Sequence, residues 1–144
     1  MEKEEPCGLI DVKCADLELH HTAYVVPDLD AALEAWQETL GATLEAGPTR
    51  VRADDVQVCF LRYPGGRVEL VCREGPSRGD ELAAGNSRPD HVCFLCSDLD
   101  ARLAAARDLG GLVVRAPVPS EAFQGRRMCF VLYRNVGLIE WVER

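Results

Sequence analysis

Lysine is nearly missing from this chain: Lys3 and Lys13 are the only two, and both lie close to its start. A lysine Schiff base or lysine general base therefore has few candidates. Basic charge is short as a whole, with 16 basic against 24 acidic residues and a formal net charge of -8. That balance argues against a general binder of phosphate backbones, so nucleic acid is not an expected partner. Long apolar runs are missing too, since none reaches the roughly 18 residues that a membrane-spanning helix needs. The Met1-Glu2-Lys3-Glu4-Glu5 start also lacks the basic and apolar parts of a signal peptide. Together these absences predict a cytoplasmic protein with no membrane partner. The cysteines are seven, an odd number scattered through apolar runs, which predicts buried free thiols in a reducing compartment rather than a disulfide framework.

What is present is a repeat. The segment His21-Thr22-Ala23-Tyr24-Val25-Val26-Pro27-Asp28-Leu29-Asp30-Ala31 returns as His91-Val92-Cys93-Phe94-Leu95-Cys96-Ser97-Asp98-Leu99-Asp100-Ala101, at one offset of 70 residues. Downstream, Cys59-Phe60-Leu61 matches Cys129-Phe130-Val131, and Val68-Glu69-Leu70-Val71 matches Ile139-Glu140-Trp141-Val142 after one extra residue. This period is longer than the 20–50 residues or so of solenoid repeats, so the chain reads as a duplicated small module. A leader of residues 1–18 precedes the first module at 19–73, and a linker at 74–89, with one helical turn near Glu81, leads to the second at 90–144.

Within the first module, His21 to Val26 alternates as a strand ended by Pro27. Asp28 is the N-cap of a helix whose Leu29, Leu33, Trp36 and Leu40 recur at helical spacing before Gly41. A short strand at Ala42 to Glu45, a polar loop at Gly47 to Asp55, and strands at Val56 to Tyr63 and Arg67 to Arg73 complete it. The second module repeats this with a strand at Leu112 to Ala116 and a loop at Pro117 to Gly125. The fold class is α+β, built from two βαβββ modules.

Two of the three histidines, His21 and His91, occupy equivalent positions, and each final strand carries one carboxylate, Glu69 or Glu140, in an otherwise apolar run. A carboxylate in a buried strand costs several kcal/mol unless it is paired or coordinated. Two imidazoles and two carboxylates converging from four strands form an expected site for one divalent ion of Co, Ni, Mn, Zn or Fe, with positions open to substrate oxygens. By strand parity Cys93 faces the cavity and Cys96 the helix layer. The repeat equates Gln57 with Arg127, and with Arg126 these are the candidate substrate-binding residues; Arg127 is expected either to reach into the cavity and hold an anionic substrate group or to face solvent beside Arg126.

The motifs His21-Thr-Ala-Tyr-Val-Val-Pro-Asp-Leu-Asp, Val68-Glu69-Leu70, Asp90-His91-Val-Cys-Phe, Leu138-Ile139-Glu140 and Phe123-Gln124-Gly125-Arg126-Arg127 resemble the vicinal oxygen chelate superfamily. Its methylmalonyl-CoA epimerase and glyoxalase I branches are the most similar. The resemblance covers residues 20 to 144. It implies sheets curled into an open eight-stranded cup around one divalent metal held by His21, Glu69, His91 and Glu140, and a homodimer. It further implies an enzyme that removes a proton next to a carbonyl, with Glu140 or Glu69 moving the proton. The expected reaction is epimerisation of an acyl-CoA thioester; the alternatives are glyoxalase I-like action on a thiol hemithioacetal, or small-molecule binding without turnover. The epimerases commonly carry a glutamate between the second and third strands, where this chain has Pro48-Thr49-Arg50-Val51-Arg52.

Overall fold

In the computed structural model, which describes residues 16–74 and 87–144, apolar alternation and helix caps give two copies of one unit. The first runs β1 (Glu18–Val25), α1 (Leu29–Leu40), β2 (Thr43–Val51), β3 (Val56–Tyr63) and β4 (Gly66–Arg73). The second runs β5 (Arg88–Cys96), α2 (Leu99–Asp108), β6 (Leu112–Pro119), β7 (Arg127–Tyr133) and β8 (Gly137–Glu143). Single 3-10 turns, Arg52–Asp54 and Glu121–Phe123, follow β2 and β6. Most of the expected leader (1–15) and the turn expected near Glu81 lie outside the described residues.

Both helices start for the same reason. Asp28 and Asp98 sit in extended backbone, and each carboxylate accepts a hydrogen bond from the amide three residues on, Ala31 or Ala101, at 3.0 Å. Gly41 ends α1 in the left-handed conformation, at φ 65°, which glycine adopts without steric cost.

All eight strands form one sheet in the order β2-β3-β4-β1-β5-β8-β7-β6. Strand β1 runs parallel to β4, and β5 parallel to β8. The modules join through the antiparallel β1–β5 pair at the centre. Leu29, Cys59, Leu61, Val68 and Leu70 form the core beneath α1, and their repeat partners Leu99, Cys129, Val131, Ile139 and Trp141 form the core beneath α2. The opposite face carries its own apolar set, including Val25, Val58, Cys93 and Met128.

Strands β2 and β6 are longer than the sequence suggests. They absorb Pro48 and Pro117, which the loop readings at Gly47 to Asp55 and Pro117 to Gly125 treated as breaks. Both are the edge strands of the sheet, where a residue without an N–H leaves no inner ladder bond unmade. Register irregularities mark both places, between Ala46 and Thr49 and between Arg115 and Val118.

Candidate metal centre and cavity

Two rows of residues cross the middle of the sheet on the face away from the helices. In one, Phe60, Glu69, Ala23 and His91 lie side by side on β3, β4, β1 and β5. In the other, Phe130, Glu140, Cys93 and His21 lie on β7, β8, β5 and β1. Each row places a small buried residue, Ala23 or Cys93, between its carboxylate and its imidazole. The larger side chains therefore lean over that position and meet.

They meet closely. His21 Nε2 lies 3.5 Å from Glu69 Oε1 and 3.4 Å from Glu140 Oε1, and His91 Nε2 lies 3.5 Å and 3.3 Å from the same two atoms. The two Nε2 atoms are 3.4 Å apart. Nitrogen and oxygen donors about 2.1 Å from one ion stand roughly 3.0–3.4 Å apart in octahedral or tetrahedral arrangements, so these spacings suit a shared cation. All four side chains are buried, and Glu140 Oε1 accepts no hydrogen bond. A buried carboxylate oxygen without a donor is costly, and a cation satisfies it.

The electrostatics point the same way. Burial alone would drive the His91 imidazolium to lose its proton, but the Asp90 hydrogen bond and the Glu140 and Glu69 carboxylates outweigh it and raise the ring to about 10. Burial likewise opposes protonation of His21, and Glu69 and Glu140 reverse it, so this ring is also raised. Glu140 would be raised by its burial, yet the two imidazoles pull it down to about 2. The pair of carboxylates thus demands positive charge between them, which protonated imidazoles or a divalent ion can supply.

A cavity of about 570 Å³ opens beside this cluster, lined by Glu69, His91 and Glu140 and by an apolar wall that includes Val25, Val58, Val71, Phe123, Met128 and Phe130. At its partly exposed rim Arg115 on β6 binds Asp54 through Nε at 2.9 Å and also donates to the Ala53 carbonyl. This bridge ties the 3-10 turn after β2 to the edge strand of the other module. Ser120, buried before the second 3-10 turn, lines the same cavity and accepts from the Ala122 amide.

The structure thus brings His21, Glu69, His91 and Glu140 together and leaves the expected substrate-binding residues outside the cavity. Arg127 sits on the helix side of β7, where Nε donates to Glu143 Oε2 at 2.9 Å and the guanidinium also meets Asp100 of α2. Gln57 holds the equivalent position on β3, exposed between Val56 and Val58, which line the cavity. Arg126 borders a separate cavity of about 150 Å³ with His20, Glu45 and Arg67. Cys93 faces the ligand side and Cys96 the helix layer.

Sequence reasoning overlooked His20 and Asp90. His20 Nδ1 lies 2.7 Å from His21 Nδ1, and Asp90 Oδ2 lies 2.7 Å from His91 Nδ1. They occupy equivalent positions of the repeat, each directly before its histidine.

The model of the glyoxalase/bleomycin resistance protein/dioxygenase superfamily matches residues 20–130. An ethylmalonyl-CoA/methylmalonyl-CoA epimerase from Cereibacter sphaeroides is 30% identical over 119 residues, covering 78% of this chain and 86% of the relative. The crystal structure of methylmalonyl-CoA epimerase from Mycobacterium tuberculosis superposes with a TM-score of 0.70 at 25% identity, covering 87% of this chain and 86% of that one. A variant methylmalonyl-CoA epimerase from Streptomyces coelicolor, in complex with 2-nitronate-propionyl-CoA, gives a TM-score of 0.60 at 26% identity, covering 87% and 95%. With two modules of the same order and the family match spanning most of its length, this chain belongs to the glyoxalase/bleomycin resistance protein/dioxygenase superfamily, and its eight-stranded sheet has the vicinal oxygen chelate fold.

Proposed function

We propose that this protein is a cation-dependent isomerase acting on the proton next to the carbonyl of an acyl-CoA thioester, as an epimerase of the methylmalonyl-CoA type. The observation that carries this reading is the placement of the two carboxylates. Glu69 on β4 and Glu140 on β8 approach the central His21 and His91 pair from opposite sides of the sheet's middle. Epimerisation removes a proton from one face of a carbon and returns one to the other, so it needs an acid–base group on each side. Similarity to epimerases that act on or bind acyl-CoA compounds supports the substrate class.

A divalent cation held by His21, Glu69, His91 and Glu140 would supply the Lewis-acid charge that stabilises a developing enolate oxygen. The residues themselves do the rest. Glu140 Oε1 is the oxygen with no hydrogen bond of its own, and we assign it the α-proton; Glu69 enters the step protonated and gives its proton to the opposite face of the carbon, after which solvent takes the proton from Glu140 and reprotonates Glu69. The wall of Val25, Val58, Val71 and Phe130 keeps water from the reacting carbon and strengthens each charge interaction.

One observation favours hemithioacetal isomerisation as a second reading. The other carboxylates lining the cavity are engaged: Asp54 with Arg115, Asp55 and Glu74 with Arg50, and Asp90 with His91. Proton movement therefore falls to Glu69 and Glu140 alone, and no separate base is committed to an acyl-CoA.

The deciding experiment follows deuterium entering the α-carbon of methylmalonyl-CoA in heavy water. The metal-loaded protein is expected to catalyse exchange, chelation to stop it, and E140Q to slow it by at least about 100-fold if the residue moves the proton. Exchange or isomerisation seen only with a glutathione hemithioacetal would move the assignment to the second reading. Stoichiometric binding of either compound with no proton exchange would make the protein a binder rather than an enzyme.

A further inference from the structure

We propose that His20 and Asp90 are positioning residues for the metal centre, each fixing the proton and the orientation of the imidazole that follows it. This rests on the reading of His21, Glu69, His91 and Glu140 as metal ligands.

The central strand pair is irregular at two places. Neighbouring residues in a strand ordinarily point to opposite faces, so a residue just before an inward imidazole should face away from it. In the β1–β5 ladder Leu19 pairs with Phe94 and His21 pairs with Cys93, which leaves His20 without a partner position. Farther along, Ala23 pairs with His91 and Tyr24 with Pro89, which leaves Asp90 without one. Each module thus contributes one extra residue, at equivalent repeat positions, directly before its histidine. Such an insertion re-aims a side chain. Here both re-aimed side chains land on the Nδ1 atom of the next residue, at 2.7 Å in each case.

Chemistry fixes what those contacts mean. A carboxylate facing a ring nitrogen accepts, so His91 Nδ1 carries the proton and, in the neutral ring, the Nε2 lone pair is left to point at Glu69 and Glu140. For His21 to present Nε2 in the same way, its Nδ1 must donate to His20 Nδ1. His20 then keeps its own proton on Nε2 and stays neutral. Its ring is also wedged edge-on against Phe60 and Phe123, with centroids 5.5 Å away in both cases. It is therefore a fixed acceptor rather than a swinging one.

The duplication has kept the device and changed its strength. Hydrogen bonds to an ionised acceptor are roughly twice as strong as neutral ones, so the Asp90–His91 pair makes His91 the firmer ligand.

Cobalt(II) binding to the purified full chain tests this, with affinity measured by competition against a chelator and coordination followed by the visible absorption of the bound ion. Removing either acceptor, in D90L or H20L, is expected to weaken cobalt binding by about 10–100-fold and to alter the cobalt spectrum, with the larger loss at Asp90. D90N keeps an acceptor without the charge and should fall between D90L and wild type; H20Q keeps a neutral acceptor and should restore most of the affinity. If wild type binds cobalt and D90L and H20L bind it as tightly with the same spectrum, the positioning role is wrong and the metal site stands. If wild type binds no cobalt, the metal reading fails and this inference fails with it. Should the leucine variants not fold, D90N decides alone: wild-type affinity and spectrum there would overturn the role of Asp90.

Discussion

His91 and Glu140 show how little freedom one residue has in this centre. Each is buried; His91 faces the carboxylates of Glu69, Glu140 and Asp90, and Glu140 faces the imidazoles of His21 and His91. H91A or E140A removes a donor and also leaves like charges or an unpaired charge in the sheet, a loss of about 3–5 kcal/mol when a buried pair is broken. Both variants are expected to lose bound metal, as read by elemental analysis after dialysis; stoichiometric metal retained in both would sink the proposed ligand set. The thiols give a second test at this scale. Burial pushes Cys59 and Cys96 up to about 11 and Cys129 up to about 12. At pH 8 these three should resist alkylation in the native protein and react once it is denatured. Because the folded values exceed the ordinary thiol value of 9.0, the stability they contribute is complete below pH 9 and is lost as pH rises through 11 to 12. Denaturant melts across that range should show the decline.

At the scale of elements, the repeat makes the argument and also shows its limits. D28A and D98A each delete one side-chain cap of the same geometry. Each should cost about 1 kcal/mol, within about 0.5–2, and the double variant should lose the sum to within roughly 0.3–0.5 kcal/mol, because the two caps share no partner. Urea melts of the three proteins would measure this. The order of elements and the two rows holding the histidines and glutamates were legible because an apolar pattern, a cap, an imidazole and a strand carboxylate each occur twice at one spacing. The side of Gln57 and Arg127 was not legible. Strand β7 is apolar on both faces, with Met128 and Phe130 toward the cavity and Cys129 and Val131 toward α2, so alternation could not say which face an end residue joins. Arg127 is settled by acids on another strand and on a helix, Glu143 and Asp100, and no local pattern reports such contacts. His20 and Asp90 escaped for a different reason. Strand parity sends them outward, and only the inserted register positions bring them back.

For the whole molecule, the question is what holds the two modules together around their cavity. The Arg115–Asp54 bridge crosses the rim, but its side chains are 33% and 24% exposed, and pairs so open to water contribute roughly 0–1 kcal/mol. A cation at the centre would take ligands from β1, β4, β5 and β8, two strands from each module, and would bind only the folded chain. At free cation about 100 times its dissociation constant that linkage adds about 2.7 kcal/mol, more than the rim bridge supplies. With a Tm shift of about 2–4 °C per kcal/mol for a chain near this size, chelation should lower the melting temperature by roughly 5–10 °C. H91A should melt at one temperature with or without chelator, since the ligand set that couples metal to folding is broken. Calorimetry on both proteins separates the possibilities. A wild-type Tm that ignores the chelator would mean the modules are joined by the β1–β5 ladder, its core and the rim bridge without a metal, the paired imidazoles and carboxylates contributing no metal-linked stability.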